Sequence, residues 1–251
     1  MPFTPTHIVA VLPFWSLRRV APFSAFAIGA MIPDFPLFFP IVNYAQAHSP
    51  LGLFSICLPL GIGAFFLFEL VLRKPIIALL PGWFASRLSP KPNVPIRSSL
   101  DTQLRYIFVI AFAIVVGAGT HQIWDAFTHS GRWGTQLIPM LNSSIEIGGL
   151  HVSGYKAFQH GSTFIGLPLF ALLAAIELNR TMPRLHQSTL AVKWKLLAGT
   201  LIFIVPICVA VQAYMISPNS HQALFLTITR SGAILMGMLL AYCSLFHVLT
   251  D

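Results

Sequence analysis

The chain has 251 residues, of which 56% are hydrophobic and 9% are charged, and its formal net charge is +8. Soluble domains carry roughly 25% charged residues, so this composition excludes an ordinary soluble fold. No stretch combines enough charge with enough length to fold by itself, and we predict one integral membrane domain over residues 1–251. The three cysteines lie in apolar runs without CxxC spacing, which excludes a disulfide framework and a zinc ribbon.

The chain begins with two short apolar runs, at about residues 5–17 and 20–33, which Pro13 and Pro22 interrupt. They predict two shorter helices, which either cross the bilayer at a tilt or form a re-entrant hairpin. Arg18 and Arg19 follow the first run instead of preceding it, which is not the pattern of a signal peptide.

Five longer apolar runs come next, each close to the roughly 20 residues that a helix needs to cross the hydrocarbon. They occupy residues 51–72, 104–120, 163–178, 196–216 and 224–249. We therefore predict an all-α fold, a polytopic transmembrane helix bundle with five long spans plus two shorter N-terminal helices. The proline-rich stretch 74–101 is predicted to be a cytoplasmic interfacial linker, and 131–154 an extracytoplasmic loop.

The basic residues predict the orientation of the chain. If both short N-terminal segments cross, 12 of the 15 lysines and arginines fall in connections on one side of the membrane. Positive residues stay in the cytoplasm, so the C-terminus of this multi-pass cell-membrane protein is predicted to be cytoplasmic. The basic residues lack the aromatic-interleaved clustering of a nucleic-acid groove, which leaves the lipid bilayer as the partner and excludes nucleic acid.

The sharpest feature of the sequence is the stretch from His121 to His129, at the end of an apolar run. Spacing of four places His121, Asp125 and His129 along one helical stripe. Gly131 and Gly134 follow, so the helix is predicted to end just after His129, near the interface. Imidazole and carboxylate groups suit zinc, iron or manganese better than calcium or magnesium, although hydrogen bonding between helices is an alternative role.

Four further residues at helix ends fall on the same predicted side and could complete a site. Asp34, held between two prolines, is interpreted as a ligand or as a helix cap. His7 and His48 are interpreted as ligands, as anchors in the headgroup region or as caps of a turn. His160, at the start of a span, is interpreted as a further ligand or a proton donor. Asp34, Asp125 and His160 are the predicted catalytic residues.

A resemblance to known families is carried by four motifs: Met-Pro-Phe-Thr-Pro-Thr-His7, Met-Ile-Pro-Asp34-Phe-Pro, His48-Ser-Pro and His121-x-x-Trp-Asp125-x-x-Thr-His129. Together they resemble bacterial membrane proteins of the domain of unknown function 4184 family, over nearly the whole chain. They are more distantly similar to the membrane-bound metal-dependent hydrolases. The resemblance implies a protein of the bacterial inner membrane with a divalent-metal site, zinc foremost. That site would be built from His7, Asp34, His48, His121 and Asp125, with His129 and His160 nearby.

Two functions from different classes follow from these residues. The first is a metal-dependent hydrolase for a lipid-derived or cell-envelope substrate, including a phosphoester, at the extracytoplasmic membrane face. The alternative is a non-enzymatic transporter or sensor that binds an ion or proton. Transport is less favoured, because the spans at 163–178 and 196–216 hold almost no polar residues. Known protease, esterase and nucleotide-hydrolase motifs are absent from the sequence.

Overall fold

The computed structural model describes residues 4–89, 91, 93–95, 98–184, 190–217 and 219–250. The first three residues of the opening motif, and residues 90, 92, 96 and 97 of the predicted linker, lie outside this range. In the described part, the α-helices in chain order are α1 (Phe23–Met31), α2 (Phe35–Phe38), α3 (Tyr44–Ala47), α4 (Leu58–Phe66), α5 (Arg73–Leu79), α6 (Gly82–Ala85), α7 (Leu100–Thr128), α8 (Trp133–Leu137), α9 (Gly154–Arg180), α10 (Val192–Met215) and α11 (Ser220–Thr250).

Other regular segments connect or extend these helices. There are 3-10 helices at Thr4–Arg19, Ile32–Asp34 and Pro139–Asn142, π-helical segments at Leu53–Cys57 and Leu67–Leu72, and a hairpin of β1 (Ser144–Ile147) and β2 (Leu150–Ser153). The two strands pair antiparallel, with Ile147 opposite Leu150.

Among the described residues, five helical stretches are long and apolar enough to cross a membrane. They are Leu53–Leu79, Leu100–Thr128, Gly154–Arg180, Val192–Met215 and Gln222–Thr250. A helix satisfies all of its backbone hydrogen bonds internally, which is why apolar runs of this length adopt it in lipid. The prediction of an all-α, multi-pass membrane helix bundle with five long spans is confirmed. The two N-terminal runs are also helical, and their crossing of the bilayer stays a prediction.

The region 131–154, which is predicted to be a loop, contains a short helix, a 3-10 helix and a β-hairpin. Gly148 and Gly149 adopt positive φ angles of 58° and 82° and form the two-residue turn between β1 and β2. Two successive positive φ angles are the requirement of a type I′ hairpin turn, which Gly-Gly meets at no steric cost. The Gly-Gly pair was therefore a hairpin signal in the sequence.

The chain divides into two compact units, and the prediction of one domain stays a prediction. The first unit comprises Met1–Pro36, Ile41–Phe65 and Pro95–Glu177, and the second comprises Leu37–Pro40, Phe66–Val94 and Leu178–Asp251. All six candidate metal ligands belong to the first unit.

The first unit is organised around the crossing of α1 and α7. Gly29 and Gly117 lie at the contact, where a Cβ on Gly29 would come 2.8 Å from Ile114 Cα, and one on Gly117 would come 2.8 Å from Ala30 N. Small residues let two membrane helices approach until their backbones touch. The crossing brings the end of α1 against the last third of α7, and this places Asp34 and His121 in the same region.

In the second unit, polar side chains pair with a backbone carbonyl and with a buried carboxylate of the helices. Pro75 has no N–H to bond the Val71 carbonyl one turn earlier, and His247 Nε2 lies 3.0 Å from that oxygen. Glu69 is buried, and Arg73 Nη1 donates to both of its carboxylate oxygens, at 2.7 and 2.6 Å. These polar groups therefore have structural partners.

Candidate metal centre

His121 is completely buried in α7 and is held by α1. Its Nδ1 lies 2.7 Å from the Ala30 carbonyl, so Nδ1 carries the proton and donates. The other ring nitrogen, Nε2, is therefore unprotonated in the neutral ring and faces the polar cluster. Metal-binding histidines are commonly oriented by such a bond from the second nitrogen.

His48 has the same arrangement on a different segment. Asn43 caps α3 by accepting a hydrogen bond from Gln46 N, and His48 follows the last residue of that helix. Its Nδ1 lies 3.0 Å from the Tyr44 carbonyl, and its Nε2 lies 3.3 Å from His121 Nε2. Two imidazole nitrogens at this distance repel through their lone pairs unless a proton or a cation lies between them.

Asp34 approaches these two nitrogens from the end of α1. It lies in the 3-10 turn Ile32–Asp34, where Pro33 fixes the backbone, and it is 2% exposed. Thr4 Oγ1 donates to its Oδ2 at 2.7 Å. The other oxygen, Oδ1, is 3.6 Å from Nε2 of both His48 and His121.

Asp125 lies one helical turn after His121 and is 3% exposed. Its Oδ2 is 3.5 Å from Nε2 of His48 and of His121. Its Oδ1 is 3.7 Å from His7 Nε2 and 3.5 Å from His129 Nδ1. Among the described residues, Oδ1 has no hydrogen-bond partner.

These distances match the spacing of ligands around a metal ion. Nε2 of His48 and Nε2 of His121 are 3.3 Å apart. Asp34 Oδ1 lies 3.6 Å from both nitrogens, and Asp125 Oδ2 lies 3.5 Å from both. Ligands arranged tetrahedrally at about 2.0–2.2 Å from zinc are about 3.3–3.6 Å apart. A charge-assisted hydrogen bond would instead be about 2.7–2.9 Å long. The donor set fits a divalent cation, whose charge two carboxylates neutralise.

His7 also belongs to the cluster. It is 3% exposed, and its ring stacks on His121 with centroids 3.7 Å apart and planes inclined by 19°. Neither ring nitrogen has a hydrogen-bond partner in the described part of the chain. A buried polar group without a partner is costly, and a bound ion is one of its ordinary explanations. His7, Asp34 and His121 form one group with metal-ligand spacing, and His48, His121 and Asp125 form another.

The carboxylates also determine the protonation of His48. Burial lowers its pKa, but the negative carboxylates of Asp125 and Asp34 outweigh burial and raise it to about 9. At neutral pH and without a cation, a proton on His48 therefore offsets part of the carboxylate charge. A metal ligand must be unprotonated, so a bound cation would replace this proton.

His129 lies at the rim of the cluster, and its backbone is not helical. The α7 helix ends at Thr128, and the backbone of His129 is extended (φ −129°, ψ 136°), which takes this residue off the predicted helical stripe. Thr135 Oγ1 donates to the His129 carbonyl at 3.3 Å, after a turn in which Gly131 has a φ of 74°. The His129 side chain is 26% exposed. Burial lowers its pKa, and the positive charge of Arg132 acts in the same direction.

The α9 helix contributes Gln159 to the cluster, not His160. Gln159 is buried, and its amide nitrogen lies 3.3 Å from His129 Nε2. His160, one residue later and therefore about 100° further around the helix, is exposed and makes none of the cluster contacts described above. None of these contacts therefore supports the interpretation of His160 as a ligand or proton donor. Sequence reasoning missed Gln159, because a single glutamine carries no metal or acid–base pattern.

Comparisons with known proteins identify the family of the chain. The model of the family described as Domain of unknown function (DUF4184) matches residues 1–246, so the chain belongs to this family. No curated protein and no solved structure matches it. The first resemblance stated from the motifs is confirmed, and the more distant similarity to membrane-bound hydrolases stays a prediction.

Proposed function

We propose that this member of the DUF4184 family is a metal-dependent hydrolase. Its substrate would be lipid-derived or part of the cell envelope, a phosphoester foremost, at the extracytoplasmic membrane face. The observation that carries the proposal is the buried pair of imidazole nitrogens 3.3 Å apart, with one carboxylate oxygen of Asp34 and one of Asp125 each 3.5–3.6 Å from both. Zinc suits this nitrogen-rich donor set, and iron or manganese are the alternatives.

Residues of the chain would hold the cation and fix the orientation of its ligands. His48, His121, Asp34 and Asp125 are the proposed ligands, with His7 beside them. A bound divalent metal supplies a polarising charge and an activated water at neutral pH. Thr4 donates to the outer oxygen of Asp34, which holds that carboxylate in the orientation of a ligand.

The position of the cluster along the chain supports a substrate at the outer leaflet. His121 and Asp125 lie in the last third of α7, which begins in the basic connection that is predicted to be cytoplasmic. Three tryptophan–cation pairs fall in the predicted cytoplasmic connections or at their edges, as membrane-interface anchors do: Trp15 with Arg18 at 4.8 Å, Trp83 with Arg87 at 4.4 Å and Trp194 with Lys193 at 5.5 Å. A polar group delivered from the outer leaflet would reach the opposite end of α7.

An anionic substrate is favoured by Arg132. This residue follows the Gly131 turn at the rim, and its positive charge acts on His129 and on Tyr44, two residues that contact the cluster. Among the described residues, no carboxylate pairs with its side chain. A guanidinium group at the edge of a metal site is suited to binding phosphate oxygens.

The alternative of ion or proton transport finds no polar route along the buried residues of α7. The buried residues of α7 on the cytoplasmic side of His121 are apolar or glycine: Ile110, Ala113, Ile114, Gly117 and Ala118. A transported ion would need ligands on both sides of the cluster. A hydrolase needs polar residues only on the side from which its substrate enters.

Metal analysis of detergent-purified protein tests the proposal. We expect wild type to carry zinc, iron or manganese in a stoichiometric amount, and His121→Ala and Asp125→Ala to lose it. His151→Ala, which alters an exposed histidine of β2, is the matched control and should keep the metal. Phospholipids and lipid-linked phosphates would then be screened for cleavage. Wild type without bound metal after reconstitution would refute the proposal, and metal without cleavage would favour a sensor.

A further inference from the structure

We propose that Asp125 is a bridging ligand, and that the cluster holds two divalent cations, one on each oxygen of this carboxylate. The inference rests on the proposed function and extends it from a mononuclear to a dinuclear centre. The first cation would bind at Oδ2 with His48 and His121, and the second at Oδ1 with His7 and His129.

Each oxygen of Asp125 faces two imidazole nitrogens. Two imidazole nitrogens lie 3.5 Å from Oδ2, those of His48 and His121. Two others lie at 3.7 and 3.5 Å from Oδ1, those of His7 and His129. Four imidazoles thus surround one carboxylate in two pairs, at distances that exceed a charge-assisted hydrogen bond and suit two ligands of one cation.

The polar atoms that a cation at Oδ2 would leave without a partner lie around Oδ1. Asp125 Oδ1 and both ring nitrogens of His7 are buried and lack a hydrogen bond within the described residues. A single cation at Oδ2 would satisfy neither Oδ1 nor the neighbouring nitrogen of His7. A second cation would satisfy both, and of these three atoms only His7 Nδ1 would stay without a partner among the described residues.

His129 has the outer contact that a metal-binding histidine requires. Its Nδ1 lies 3.5 Å from Asp125 Oδ1 and 3.2 Å from the Asp125 carbonyl, to which it donates in the metal-free protein. A cation at Oδ1 would replace this proton, and Nε2 lies 3.3 Å from the amide of Gln159. The two ends of a glutamine amide are interchangeable, so the amide oxygen can accept a proton from Nε2 while Nδ1 binds a cation. His48 and His121 have equivalent outer contacts, with the carbonyls of Tyr44 and Ala30.

The charge of two cations would also favour one class of substrate. Asp34 and Asp125 neutralise one divalent ion, so a second leaves a net positive charge in a buried site. Phosphatases and nucleases use paired metals roughly 3.5–4 Å apart to stabilise the attacking and leaving oxygens of a phosphoryl group. The excess charge would favour a phosphate ester over a neutral acyl ester.

Manganese loading of the detergent-purified full chain tests the inference. Mn²⁺ is added to metal-depleted protein, unbound ion is removed, and bound manganese is counted by mass spectrometry. Electron paramagnetic resonance then reports whether the ions are magnetically coupled. We expect two coupled ions in wild type and one uncoupled ion in His129→Asn and in His7→Asn. His151→Ala should match wild type, and an unchanged thermal transition in each variant would show that the fold persists.

Each outcome separates this inference from the proposed function. One ion in wild type, unchanged in His129→Asn, would overturn the bridging role and leave a mononuclear hydrolase. Two ions without magnetic coupling would place the second ion away from Asp125 and would also overturn it. No bound manganese, together with no bound zinc or iron, would refute both the inference and the function on which it rests.

Discussion

The close approach of α1 and α7 gives the sharpest prediction, because one added methyl group should disturb a metal site one turn away. In Gly117→Ala, the new Cβ would lie 2.8 Å from Ala30 N and 3.0 Å from the Gly29 carbonyl carbon. These are backbone atoms that cannot rotate away, so the helices must separate. Gly119→Ala is the matched control, because a Cβ on Gly119 meets nothing within 4 Å.

The size of the effect follows from these distances. Non-bonded atoms settle at about 3.5 Å or more, so the contact with Ala30 N alone requires the helices to part by about 0.7 Å, and the Phe26 carbonyl oxygen lies closer still. The bond from His121 Nδ1 to the Ala30 carbonyl would then lengthen from 2.7 Å to about 3.4 Å or more, longer than the ordinary range of about 2.7–3.2 Å. Overpacking of this kind costs about 1–3 kcal/mol, and the loss of such an outer bond weakens metal binding about 10–100-fold.

The assay is metal affinity by competition with a chelator, together with the thermal transition, in detergent-purified protein. We expect Gly117→Ala to bind metal about 10–100-fold more weakly and to melt at a lower temperature. Gly119→Ala should bind like wild type and melt at the same or a slightly higher temperature, since alanine favours the helix. If Gly117→Ala matches Gly119→Ala in both measurements, the contact between the two helices does not position the site.

Metal affinity should depend on pH through His48, because its carboxylate neighbours outweigh burial and raise its pKa to about 9. Affinity should rise about tenfold per pH unit up to about pH 9 and then level off, and a flat profile between pH 6 and 9 would contradict this. In the metal-free protein, the same raised pKa gives stability that is complete below about pH 6.5 and is lost as the pH rises through about 9, as thermal melts would record. Orientation can be tested with Met140→Cys and Met182→Cys, two methionines that are 71% and 82% exposed, in a background without native cysteines. An impermeant thiol reagent should label the first in intact cells and the second only after permeabilisation, and equal labelling would contradict the topology. Arg73→Ala should remove the ion pair with the buried Glu69, whose Oε2 still accepts a hydrogen bond from Asn93 N at 2.8 Å, and cost about 1.5–3 kcal/mol in unfolding experiments, with no change in metal content. A loss below 1 kcal/mol would show that this ion pair contributes little.

Sequence reasoning found most of the candidate site. His121 and Asp125 stood out because ionisable residues are costly in a membrane helix and a spacing of four keeps them on one face. His7, Asp34 and His48 were added from their positions at helix ends and from the resemblance. The structure brings all five together, and metal binding itself stays a prediction.

Sequence reasoning was less reliable where a residue lies at the end of a helix. His129 continues the spacing of four, yet α7 ends one residue earlier and its backbone is extended. His160 and Gln159 are neighbours in sequence, and only the rotation of α9 about its axis decides which of them faces inward. A pattern with a period of 3.6 residues cannot fix that rotation from so few polar positions.

The sequence by itself determined that this chain crosses the membrane in five long helices, because the length and polarity of an apolar run are local properties. It also determined which residue types are available for a metal, since so few ionisable residues remain once the basic connections are set aside. Only the tertiary structure decided that segments as distant as Thr4 and Gln159 meet at one cluster, and which oxygen of Asp125 faces which pair of imidazoles. These relations depend on how closely α1 and α7 approach each other, and that distance is set by contacts between backbones that no local pattern encodes.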